Sequence, residues 1–279
     1  MFDKVIGHDI PKKILTNDID KNKISHAYAF VGPVGVGKCK LAEEFAKKLL
    51  NTQDLKVAID YKKIEKIEGK KNILVEQIRK ELVEDVYTHP AASDYKVYVI
   101  DNAEYLNEES QNSLLKTLEE PPSYVCIILI TQNMQSFLPT IISRVKQIKF
   151  DKLSSREINE YCGLNNIENN FNENMLSYID GSVGKLIKLE QEDEFNLFKQ
   201  TEEIVDNIKK KNELQVLKLL EKVSFKNTEA LDYLEYLLYL NNLYDEMFLV
   251  EEARNKMKYN ANEDILKTVL AINTCRKEK

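Results

Sequence analysis

The feature that most constrains this chain is FVGPVGVGKCK at residues 30–40. Gly32 and Gly37 are separated by four residues, and Lys38 follows directly. Glycines in this pattern let the backbone curl until its N–H groups face one point, and the lysine adds a positive charge there. That is the chemistry of a phosphate cradle. The flanks agree: AYAFV at 27–31 reads as a short buried strand, and Leu41, Phe45 and Leu49 recur at helical spacing over 38–50. Strand, glycine loop and helix in that order predict a P-loop type of α/β domain, with Gly32, Gly35, Gly37 and Lys38 as candidate phosphate-binding residues. One position departs from the pattern. Residue 39 is Cys, where a Ser or Thr hydroxyl normally ligates Mg²⁺, and a thiol is a soft, poor partner for that hard cation.

The α/β alternation continues to about residue 150. VYVI at 97–100 and CIILI at 126–130 are apolar without alternation, as expected of parallel strands buried on both faces. Between them, 108–118 places Leu114, Leu115 and Leu118 on one side of a helix that Pro121 and Pro122 must end. Beyond 152 the pattern is helical, in SSREINEYC with a serine cap, NENMLSYID and GSVGKLIKL. The sequence thus predicts an α/β domain over 1–151, a small helical lid over 152–192 and an all-helical collar-type region over 193–279. The Leu/Tyr stripe in LDYLEYLLYLNNLYDEMFLV reads as helix-bundle core in preference to a ligand site.

Composition excludes other classes. No run of about 18 apolar residues occurs, and the first ten residues lack a basic start and an apolar core segment, so a cytoplasmic protein is expected. Cys39, Cys126, Cys162 and Cys275 lie far apart with no CxxC pair, which argues against a zinc site and a disulfide framework. His8, His26 and His89 are scattered and are read as residues without catalytic duty. A net charge of −6 gives no global field for nucleic acid, so any DNA contact must come from a local patch or a partner.

A P-loop site also needs an acidic residue at the end of a buried strand, and Asp101 in VYVIDNAEYL stands there. The next position, where ATPases of this kind carry a water-polarising glutamate, is Asn102, which cannot act as a base. Metal binding and water activation are both weakened in one site.

With these pieces placed, the chain resembles the clamp-loader branch of the AAA+ ATPases, and within it the delta prime subunits of bacterial DNA polymerase III. The resemblance rests on VIGHDIPKKIL, KISHAYAFVGPVGVGK, ILVEQIRKEL, LLKTLEEPP at 114–122 and LPTIISRV. It implies that Arg144 is an arginine finger reaching a neighbouring subunit's ATP, with an ordinary surface salt bridge as the other reading, and that Val145 replaces a cysteine without chemical consequence. It also places Asn133 at the first sensor position and puts Gly184 and Lys185 where active relatives carry a second-sensor arginine. Many relatives hold a four-cysteine zinc module shortly after the loop. Here NTQDLKVAIDYKKIEKIEGKKN contains no cysteine, so no zinc is expected, and its lysines read as a solvated face, with a DNA or partner contact as the other reading.

The implied role is that of a non-hydrolysing subunit in a hetero-pentamer with gamma/tau-like ATPase subunits and a delta-like subunit. The assembly would place a sliding clamp on primed DNA for a DNA-directed DNA polymerase, with no membrane involved. Bound ATP and Mg²⁺ would be weak or dispensable in this subunit. The competing reading is an AAA+ clamp-loader ATPase that hydrolyses ATP itself, and a small-molecule P-loop kinase is more remote.

Overall fold

The computed structural model describes residues 2–167 and 170–276. Contacts divide the chain into two compact units, the first holding the described residues up to 167 together with Asp180–Gly184, the second 170–179 and 185–276.

The first unit is built on a parallel sheet of β1 (Ala27–Val31), β2 (Tyr61–Ile64), β3 (Lys96–Ile100), β4 (Val125–Thr131) and β5 (Lys146–Lys149), in the order β2-β3-β4-β1-β5. The helices are α1 (Asp9–Asp20), α2 (Lys38–Leu49), α3 (Val75–Ile78), α4 (Glu108–Glu119), α5 (Pro139–Ile142) and α6 (Ser155–Asn165), with a π-helical turn at Arg79–Val83 extending α3.

The central strands alternate cleanly between two cores. Tyr28, Phe30, Val97, Val99, Cys126, Ile128 and Ile130 pack on one face with Leu15 of α1 and Leu41 and Phe45 of α2. Ala27, Tyr98, Ile100, Val125, Ile127 and Leu129 point to the other, against Ile78 of α3 and Leu114 and Leu118 of α4. A strand with both faces covered has no polar side, which is why β1, β3 and β4 read as continuous apolar runs.

Two strands differ from the sequence reading. Tyr61–Ile64 lies inside the lysine-rich stretch read above as a solvated face, yet it pairs with β3, Lys63 standing beside Val99 in register. Lys146–Lys149 pairs with β1 on the opposite edge. Each needs only one fully buried side chain, Ile64 or Ile148, so neither carries an apolar run.

The second unit is helical: α7 (Glu173–Ile179), α8 (Val183–Glu190, from its third residue), α9 (Glu192–Lys209), α10 (Glu213–Leu220), α11 (Thr228–Leu240), α12 (Tyr244–Lys258) and α13 (Glu263–Cys275). Leu231, Tyr233, Leu234, Leu237 and Leu238 of α11 are buried, and Tyr178, Phe198 and Tyr233 pack ring against ring. Over 231–238 the Leu/Tyr stripe is bundle core, while Tyr239, Leu240, Tyr244 and Phe248 of the same stripe are exposed.

Candidate functional site

In a parallel sheet every strand ends on the same edge, and loops at that edge converge. The glycine loop leaves β1, Asp101 follows β3, and Asn133 follows β4, while Lys63 lies near the end of β2. The loop's shape is enforced from outside. Gly35 adopts a left-handed backbone (φ +74°), and a Cβ there would come within 2.2 Å of Ser182 Oγ. A Cβ on Gly32 would strike the Phe150 carbonyl oxygen at 2.2 Å. Gly184 N–H donates to the Gly35 carbonyl at 2.8 Å, and the His8 ring donates from Nε2 to the Val36 carbonyl at 2.7 Å. His8, read from sequence as unremarkable, therefore positions the loop.

Lys38 is buried. Its ammonium donates to the carbonyls of Gly32 at 2.6 Å and Pro33 at 2.5 Å, closing the loop on itself. Burial pulls its pKa down, against the opposing pull of Glu104 and Asp101. Glu104 went unnoticed in the sequence. It accepts from Gln132 Nε2 at 3.0 Å through Oε1, while its Oε2 is buried with no hydrogen-bond partner. The three-residue step from Asp101 to Glu104, through a single 3₁₀ turn at Ala103–Tyr105, is the signal that could have found it.

The residues around the metal position do not suit Mg²⁺. Burial pushes the Cys39 thiol up to about 12, with the Asp101 carboxylate pushing the same way, so it stays protonated and cannot replace a hydroxyl ligand of a hard cation. Asp101 Oδ1 accepts from the Asn102 backbone N–H at 2.9 Å, and its Oδ2 lies 3.5 Å from Lys63 Nζ. Lys63 also pairs with Glu65 at 2.7 Å and stands beside the Cys39 thiol. Burial lowers the Lys63 pKa, but the Glu65 hydrogen bond and the neighbouring Cys39 and Asp101 outweigh it, so the net shift is upward and the side chain is a fixed cation. Asn102 is exposed in a left-handed backbone conformation and offers no base. Among the described residues no group of three or more His, Cys, Asp or Glu side chains is placed to hold a metal ion.

The remaining sequence candidates fall as follows. Asn133 is exposed, its Oδ1 accepting from the Gln135 N–H at 2.9 Å in a local turn. Arg144 lies between α5 and β5, donating to the Thr140 carbonyl at 2.9 Å and pairing with Glu119 Oε1 at 2.9 Å. Its partner comes from the LLKTLEEPP segment at the end of α4. Val145 packs against the core on the α4 side of the sheet. Lys185 donates to the Tyr178 carbonyl at 2.8 Å and lies over that ring.

The family model described as DNA polymerase III, delta subunit matches residues 7–154, more than half of the chain. A DNA polymerase III subunit gamma of Buchnera aphidicola subsp. Schizaphis graminum is 33% identical over 207 residues, covering 67% of this chain and 57% of that protein. The subunit tau of Bacillus subtilis is 34% identical over 171 residues, covering 56% of this chain and 30% of its own length. The chain thus matches about half or less of these relatives' lengths. A DNA polymerase III gamma subunit-related protein from Thermotoga maritima superposes with a TM-score of 0.63 at 16% identity, covering 94% of this chain and 98% of that one, a likeness of fold. These relatives carry the names gamma and tau, so the comparisons reach the clamp-loader level and stop short of delta prime. The protein belongs to the DNA polymerase III delta subunit family, among the clamp-loader subunits.

Proposed function

We propose that this chain is a delta prime-like clamp-loader subunit that does not hydrolyse ATP and presents Arg144 to the ATP of an adjacent ATPase subunit. The observation that carries the reading is an asymmetry. The groups expected of a working cis site are replaced, with Cys39 at the hydroxyl position, Lys63 against Asp101 and Asn102 where a base is expected. The guanidinium of Arg144 is kept, a third exposed at 32%, and oriented by Glu119. A planar, permanently charged group of this kind can neutralise charge developing on a γ-phosphate across a subunit boundary. On this reading residues 152–192 act as a lid and 193–279 as the collar that joins gamma/tau-like and delta-like partners, and the assembly loads a sliding clamp onto primed DNA in the cytoplasm.

The test is steady-state ATP turnover by a complex reconstituted with Arg144→Ala. The variant should stay folded, because a half-exposed ion pair contributes only about 0–1 kcal/mol. Turnover should fall about tenfold or more, and unchanged turnover would remove the trans role.

The competing reading, an ATPase in its own right, draws on the intact glycine loop and Lys38. It is decided by the purified chain alone: a kcat of about 1 s⁻¹ or more would establish it and sink the first reading.

A further inference from the structure

In P-loop enzymes the metal ion is held between the loop hydroxyl and the acidic residue after the third strand, and it neutralises the phosphates. In this chain both flanks of that position are altered together. The hydroxyl is replaced by the Cys39 thiol, and the Asp101 carboxylate is faced by the Lys63 ammonium at 3.5 Å. Lys63 reaches this position because β2 pairs in parallel with β3, setting it beside Val99, two residues before Asp101. Glu65 at 2.7 Å holds the same ammonium from its other side.

We propose that Lys63 is a tethered cation standing where Mg²⁺ would stand, so that the loop takes a nucleoside polyphosphate without a divalent metal. The logic is one of charge and access. A cation built into the chain occupies the carboxylate that Mg²⁺ needs, and excludes a second cation by repulsion. It also offsets the Asp101 carboxylate, which acts on Lys38 and would otherwise repel an anion cradled by the loop N–H groups. The compensation is smaller than a divalent ion gives, and the Glu104 carboxylate lies close enough to act on Lys38, so binding is weak. The α2 helix begins at Lys38 with Gly37 before it and no side-chain cap, leaving its first N–H groups to the ligand. The inference concerns this chain's own loop and stands whether or not Arg144 acts in trans.

The experiment is titration of the full chain with a fluorescent ATP analogue, in EDTA and in Mg²⁺, for the wild type, Lys63→Met and Cys39→Thr/Lys63→Met. Methionine keeps the stem of the lysine packed along the edge strand and removes only the charge. The wild type should bind equally in both buffers, within about twofold, and Lys63→Met should bind about tenfold more weakly in EDTA. The double variant, with hydroxyl and carboxylate both released, should gain about tenfold or more from Mg²⁺. The proposal is overturned if the wild type binds about tenfold tighter with Mg²⁺, if Lys63→Met leaves binding in EDTA unchanged, or if the wild type shows no binding in EDTA up to about 1 mM.

Discussion

His8 sits at the start of α1 in a left-handed backbone conformation (φ 57°), with its ring against Phe150 and its Nε2 on the Val36 carbonyl. Burial holds its pKa below the ordinary 6.5, although the carboxylates of Glu157 and Asp151 work in the opposite direction. His26 is lowered from the same value, again chiefly by burial. A lowered folded pKa means that the unfolded chain takes up the proton first as pH falls. Stability contributed by neutral His8 is therefore complete above 6.5 and is lost progressively below it. Urea unfolding of the wild type should show a loss of stability between about pH 7.5 and about pH 5.5, and His8→Gln should lose less over that interval. Equal losses would remove His8 from the account. The reason His8 could not be read from sequence is that its partner is 28 positions away. The glycines of the loop were legible because their spacing to one another and to Lys38 lies in one short stretch, although the groups that press on them, Phe150 and Ser182, do not. Lys63 and Glu104 share the problem of His8, since only sheet pairing and a single turn bring them to the loop.

At the scale of elements, the central strands announce themselves and the edge strands do not. A strand between two neighbours must bury both faces, which writes AYAFV, KVYVI and VCIILIT into the sequence. YKKI and KQIK lie at the edges, where lysine is tolerated and protects against unwanted pairing, so they resemble loop. The edge strand β5 is fastened by a buried polar hub. Asp18 of α1, only 4% exposed, accepts from the Tyr28 hydroxyl at 2.8 Å and from Lys146 Nζ at 2.6 and 2.7 Å. One carboxylate thus joins α1, β1 and β5. Asp18→Ala would leave the Tyr28 hydroxyl buried without an acceptor and the ammonium without its partner, a loss of about 3 kcal/mol in urea unfolding. Lys146→Ala should cost much less, because that side chain is 39% exposed and water replaces its role. Similar losses for the two would mean that packing, and not the carboxylate, fastens the strand.

For the whole molecule, the proposed division of labour separates a loop that shapes this subunit from an arginine that serves a neighbour. Lys38 decides between them most sharply. In an active P-loop enzyme this lysine contacts the phosphates, and its loss abolishes turnover. Here its ammonium spends two hydrogen bonds on the Gly32 and Pro33 carbonyls, and its neighbours Cys39, Lys63 and Asn102 supply neither metal nor base. Lys38→Ala should therefore destabilise the isolated chain by about 1–2 kcal/mol, as two partly buried carbonyls lose their donor. It should leave ATP turnover of the reconstituted complex within about twofold of wild type if, as proposed, catalysis proceeds at other subunits' sites. Arg144→Ala should do the reverse, leaving stability nearly unchanged and cutting turnover. Thermal unfolding of the chain and turnover of the complex, measured for both variants, give a crossed pattern if the division holds. A large loss of turnover in Lys38→Ala without loss of stability would mean that nucleotide held by this loop takes part in the reaction, and the subunit would then have to be counted among the working ATP sites.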